Sequence, residues 1–141
     1  MKELTVEARP ESIPRIIEFV DGELDGLGCP VKTKTQIDIA IDELCSNIAR
    51  YAYDGESGKM TVMVEGDSAP GTVSISFQDE GKPFNPLESE DPDVTLSARE
   101  RRVGGLGIFL VRKSMDDVRY EYRDGKNILT IRKTLQGHEN G

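Results

Sequence analysis

The apolar residues Ile37, Ile41, Leu44 and Ile48 recur at helical spacing, and this stripe constrains the fold more than any other feature of the chain. It predicts a helix that is capped at Thr33 or Thr35, runs to about Tyr53 and ends at Asp54-Gly55. A long helix that is apolar on one side must bury that side against another layer. The second layer is legible downstream. Val62 and Val64, then Val73, Ile75 and Phe77, alternate with polar residues and predict strands over 59–65 and 72–78, joined by a turn containing Pro70-Gly71.

The remaining elements fit the same plan. Residues 4–8 predict a short first strand that Pro10 breaks. Ser12 can cap a following helix, with Pro14 near its first turn and Ile13, Ile16, Ile17, Val20 and Leu24 on one face. A third helix spans about 106–114. Strands over 118–123 and 127–135 close the domain around Asp124-Gly125, a strong hairpin signal. The expected fold is α+β: a two-layer α/β sandwich with three helices on one face of a mixed, mostly antiparallel five-stranded sheet. Its 141 residues suit one domain over 1–135, with 136–141 as a loose tail.

Residues 82–103 show neither period. They hold Pro83, Pro86 and Pro92, an acidic patch and then arginines. A structureless stretch of this length inside a compact domain usually acts as a lid or is disordered.

Charge and hydropathy exclude some functions. The net charge of -8 and pI of about 4.7 argue against nucleic acid as the main ligand, which needs clustered Lys and Arg. No apolar run approaches the ~20 residues that span a bilayer. The first residues lack the apolar core of a signal peptide, and Cys29 and Cys45 read as two free thiols, so a cytoplasmic protein is expected.

Three segments carry chemistry. Glu43 and Asn47 lie four residues apart and share a helix face. At ~100° per residue, Asn47 falls about 80° and Glu43 about 120° from the stripe, at the edge of the buried face. A carboxylate there can take a proton from a hydroxyl, and an amide oxygen there suits Mg²⁺. The alternative is two solvated polar residues beside an amphipathic helix. Asp79 continues the inward face of its strand, where a carboxylate needs a donor such as the amino group of adenine. Gly81 would let a base approach the backbone. The alternative is a strand-end Asp-Glu-Gly turn. Gly104, Gly105, Leu106 and Gly107 precede a helix, where exposed N–H groups can hold phosphates, with Arg101 and Arg102 just upstream. Each signal alone is weak. Their order, with the long stretch between the last two, suggests an ATP site.

These residues resemble three motifs of the GHKL ATPases. Glu43 and Asn47 match the N box, Asp79 and Gly81 the first glycine box, and Gly104 to Gly107 the second. Within that superfamily the chain is most similar to the stand-alone anti-sigma-factor serine kinases, over 41–53, over 104–117 and along most of its length. The resemblance implies a Bergerat-type sandwich that binds Mg-ATP under a lid. In it Glu43 is the general base, Asn47 the Mg²⁺ ligand and Asp79 the adenine contact, with the glycines and nearby backbone on the phosphates. It implies a serine or threonine of a STAS-type anti-anti-sigma protein as substrate, a sigma factor as second partner, and a homodimer. Two departures stand out. Lys126, Asn127 and Ile128 occupy the place of a common Gly-Thr pair, and Val103 sits where an arginine often precedes the glycines. They motivate an alternative, a nucleotide-dependent partner-binding module without kinase activity. A third reading is a detached histidine-kinase catalytic domain. The single histidine, His138, falls in the tail, so a histidine substrate would belong to another chain.

Overall fold

The computed structural model describes residues 2–67, 71–88 and 105–135. Its elements run β1 (Lys2–Glu7), α1 (Ile13–Gly26), α2 (Val31–Tyr51), β2 (Lys59–Asp67), β3 (Thr72–Asp79), α3 (Gly105–Ser114), β4 (Asp117–Arg123) and β5 (Lys126–Thr134), with single 3₁₀ turns at Pro10–Ser12 and Pro86–Glu88. The strands form one sheet in the order β1-β2-β3-β5-β4. The sheet was expected to be mixed, and all four of its pairings are antiparallel. The connection from β3 through α3 delivers β4 to the edge beyond β5, so no parallel neighbour arises.

The core lies between the helices and one sheet face. Ile16, Val20 and Leu24 of α1 meet Ile37, Ile41 and Leu44 of α2, all of them buried, over Val62, Ile75, Phe77 and Ile131 of the sheet. Each such side chain contributes roughly 1.5–3 kcal/mol through burial, which is what binds the two layers. The other sheet face is polar. Thr5 and Thr61 share a hydroxyl hydrogen bond at 2.8 Å, and Ser76 and Thr130 share another at 2.9 Å. The alternation along β3 therefore separates a core face from a hydroxyl-bearing one.

Local signals acted with some differences. Asp124 and Gly125 have φ of 55° and 76°, the left-handed pair that closes a two-residue hairpin. α2 starts earlier than either threonine. Pro30, extended at φ -63° and ψ 153°, precedes it without a side-chain cap, Thr33 is buried in its first turn, and the Thr35 hydroxyl donates back to the Val31 carbonyl at 3.0 Å. Proline's fixed φ starts the helix where a threonine cap was expected. Ser12 occupies the N-cap of α1, with no side-chain cap bond, because the 3₁₀ turn at Pro10–Ser12 leads directly into the helix.

Candidate active site

α2 places Glu43 and Asn47 on one face, β3 ends in Asp79, and α3 opens with the glycines. The structure brings these three elements together at one end of the sheet.

Asp79 points inward, as the period-2 pattern predicts, and is 6% exposed. Its Oδ1 accepts the Gly81 N–H at 2.9 Å and the Asn127 Nδ2 at 2.9 Å. Among the described residues no donor falls on Oδ2. Burial pushes the carboxyl above its usual range, and the bonds from Asn127 and Gly81 pull against that.

Gly81 is held by a neighbour that the sequence did not reveal. A Cβ there would overlap the Ala52 carbonyl at the end of α2, and the adjacent Lys82 N–H donates to that carbonyl at 3.0 Å. The close approach seen at Gly81 is thus made by the chain's own backbone. Tyr53 reinforces the corner: its hydroxyl accepts the Glu80 N–H at 2.8 Å and donates to the Lys59 carbonyl at 2.6 Å.

Asn47 is buried, and its Oδ1 has no hydrogen-bond partner among the described residues. A buried acceptor left unpaired costs about 1–3 kcal/mol, so its retention calls for an explanation such as a ligand. A hard oxygen donor of this kind fits Mg²⁺, which takes few protein ligands and completes its shell with water and phosphate. Among the described residues no group of three or more His, Cys, Asp or Glu could hold a metal ion. Asn47 and Asp79 line one small cavity of about 40 Å³, together with Phe77, Leu129, Tyr51 and Phe84. A larger hollow of about 810 Å³ lies on the α1–α2 surface beside Ile13, Ile17 and Asp42. It is open, and none of Glu43, Asn47 and Asp79 lines it, so chemistry and not volume locates the site.

Glu43 is half-buried. A Cβ on Gly107 would overlap the Glu43 carboxylate, so the carboxylate rests on the first turn of α3. Burial raises its pKa most, Arg50 opposes the shift and Asp42 adds to it. A carboxylate with a raised pKa is the stronger base near neutral pH. Gly105 and Leu106 form the start of α3, whose first N–H groups lack helical partners and can face an anion. Arg101, Arg102 and Gly104 lie outside the described residues.

The structure adds Asn127 and Tyr120, which also line the cavity. Asn127 pairs with Asp79 across β3 and β5, a juxtaposition readable only once those strands are known to be neighbours. Residues 82–88, the start of the expected lid, lie against the sheet. Phe84 donates its N–H to Asn127 Oδ1 at 3.1 Å, and its ring lies 6.2 Å from that of Tyr51.

Comparison with known proteins follows the same lines. Residues 6–133 match the histidine kinase-like ATPase domain family. A serine-protein kinase RsbW from Halalkalibacterium halodurans is 31% identical, over 97% of this chain and 85% of its own length. RsbW from Listeria monocytogenes is 30% identical, over 89% and 82%. Among solved structures, the RsbU and RsbW domains of a Mycobacterium tuberculosis protein superpose with a TM-score of 0.62 at 14% identity, covering 96% of this chain and 33% of theirs. A blue-light activated histidine kinase from Erythrobacter litoralis superposes at 0.60 with 16% identity, covering 80% and 34%.

Proposed function

The chain belongs to the histidine kinase-like ATPase domain family, and from that premise we propose that it is an ATP-dependent serine/threonine-protein kinase and anti-sigma factor. It would phosphorylate a STAS-type anti-anti-sigma protein and sequester a sigma factor, as a homodimer in the cytoplasm. No described helix is long and apolar enough to cross a membrane. The observation that carries the reading is the convergence of Asn47 and Asp79 on one cavity, with Asn47 Oδ1 unpaired among the described residues.

The roles follow from position. Asp79 accepts the exocyclic amino group of adenine, because its Oδ1 is already occupied and Oδ2 remains for the base. Asn47 would hold Mg²⁺, which neutralises charge on the phosphates when bound. The first turn of α3, from Gly105 to Gly107, would face the phosphates. Glu43, beside that turn, takes the proton of the serine hydroxyl as the γ-phosphoryl group moves to it. Catalysis of this kind is positioning plus electrostatics, which suits side chains fixed on one helix and a strand beside the N-terminus of a second helix.

Calorimetric titration with ATP and Mg²⁺ tests the site. The native chain should bind saturably and Asp79→Asn should bind about 10–100-fold more weakly. Transfer of radiolabelled γ-phosphate to STAS-type proteins of the same organism tests the activity. Absence of labelling by a chain that binds ATP would favour the nucleotide-dependent partner-binding module, which the Asn127 departure motivates.

A further inference from the structure

Asn127 is 7% exposed and is the second residue of β5, opposite Asp79. Its carboxamide is fully used. Nδ2 donates to Asp79 Oδ1 at 2.9 Å and to the Lys82 carbonyl at 2.9 Å, with the Gly81 carbonyl at 3.4 Å. Oδ1 accepts the Phe84 N–H at 3.1 Å and the Tyr120 hydroxyl. An amide has two donor hydrogens and one acceptor oxygen, so these partners fix its orientation. Flipped, it would set its oxygen against a carboxylate and a carbonyl. One side chain therefore holds both the inward carboxylate and the backbone of the segment that follows it.

That segment is also a wall of the cavity, through Lys82, Phe84 and Pro86. The 82–88 segment is held by Asn127, by the Lys82 N–H on Ala52 and by Arg112 on the Leu87 carbonyl.

We infer that Asn127 is a positioning residue of the nucleotide site, which aims Asp79 at the base and ties base recognition to the placement of residues 82–84. The inference rests on the ATP reading above and deepens it. Adenine presents a donor to Asp79, whereas guanine presents a carbonyl there. Holding Oδ1 with an amide keeps Asp79 an oriented acceptor and so favours adenine. The same amide passes any shift of Asp79 on base binding to the Lys82 carbonyl and the Phe84 N–H.

The test compares the native chain with Asn127→Ala and Asn127→Thr, measuring ATP and GTP affinity by calorimetry and amide exchange over residues 82–88 with and without ATP. In the native chain ATP should alter exchange over 82–88. Asn127→Ala should lower ATP affinity about tenfold, the range for a lost hydrogen bond to a charged group, and leave GTP within twofold. Its 82–88 amides should exchange fast with or without ATP. Asn127→Thr keeps a hydroxyl donor and should fall between the two. If Asn127→Ala does not fold, Asn127→Thr carries the test, with a smaller selective loss of ATP affinity expected. Equal losses for ATP and GTP, or native 82–88 exchange that ignores ATP, would overturn the inference alone. No ATP binding by the native chain would overturn the nucleotide reading and this inference with it.

Discussion

Two regions of this domain place acidic side chains out of water, and they treat them in opposite ways. At the end of the sheet, Asp79 receives the Gly81 N–H and the Asn127 amide, neutral donors fixed by backbone and strand register. Between α1 and α2, Asp38 faces Asp21. Burial, a hydrogen bond to Asp21 and the charge on Asp21 push Asp38 up to about 7, while Lys34 pulls it down and Asp25 adds to the rise. Lys34 makes its hydrogen bond to Asp25, at 2.9 Å. Asp21 Oδ1 and Asp38 Oδ1 have no other partner among the described residues. A proton on the Asp38 carboxyl supplies the donor for its hydrogen bond to Asp21. Fixed donors keep a carboxylate ready for a ligand at any neutral pH, whereas the proton on Asp38 stabilises the pair only while it stays bound.

The comparison assigns chemistry to the sheet end and pH-dependent stability to the helix pair, and graded substitutions can break it. The largest effect is expected from Glu43→Gln: phosphoryl transfer should fall about 10²–10⁴-fold with ATP affinity unchanged, measured by steady-state kinetics and calorimetry. Transfer at the native rate would remove Glu43 from the role of base. Next, Asp79→Asn should lower ATP affinity about 10–100-fold and leave the thermal midpoint nearly unmoved. A large drop in the midpoint with intact binding would make Asp79 a structural group like Asp38. Gly107→Ala should come third. The added methyl meets the far end of a flexible side chain, so the fold survives while the Glu43 carboxylate is displaced. Transfer should fall about tenfold, with binding retained.

The smallest effect belongs to the other region. Asp38 is near 7 when folded against an unfolded value of ~3.9. The folded state therefore binds the extra proton. Its stabilisation is complete below about pH 4 and is lost as pH rises through 7. Asp38→Asn should gain on the order of 1 kcal/mol over the native chain at pH 8, a figure discounted for partial exposure, and the gain should shrink toward pH 4. Urea unfolding at the two pH values measures it. ATP affinity should not change, and a change would couple the two regions.

What was legible in the sequence divides along the same line. The stripe of α2, the alternation of β3 and the Asp124-Gly125 hairpin are local patterns, and each produced its element. Periodicity alone puts Glu43 and Asn47 at the edge of the buried helix face and Asp79 on the inward face of its strand. Contacts between distant elements were not legible. Asn127 faces Asp79 only because β5 inserts between β3 and β4, and Asp21 meets Asp38 only through the packing of α1 on α2. The Ala52 carbonyl against Gly81 belongs to the same class: nothing in the local sequence announces which backbone will arrive there.

That last contact has a consequence for how this protein can vary. The obstacle to a side chain at position 81 is backbone at the end of a 21-residue helix, which cannot swing aside as a flexible side chain would. In a saturation library, position 81 should tolerate no replacement, while Gly22 and Gly26, which face open space, should accept many. The corner after β3 thus acts as a mutational wall, and sequence change in this domain must accumulate around it.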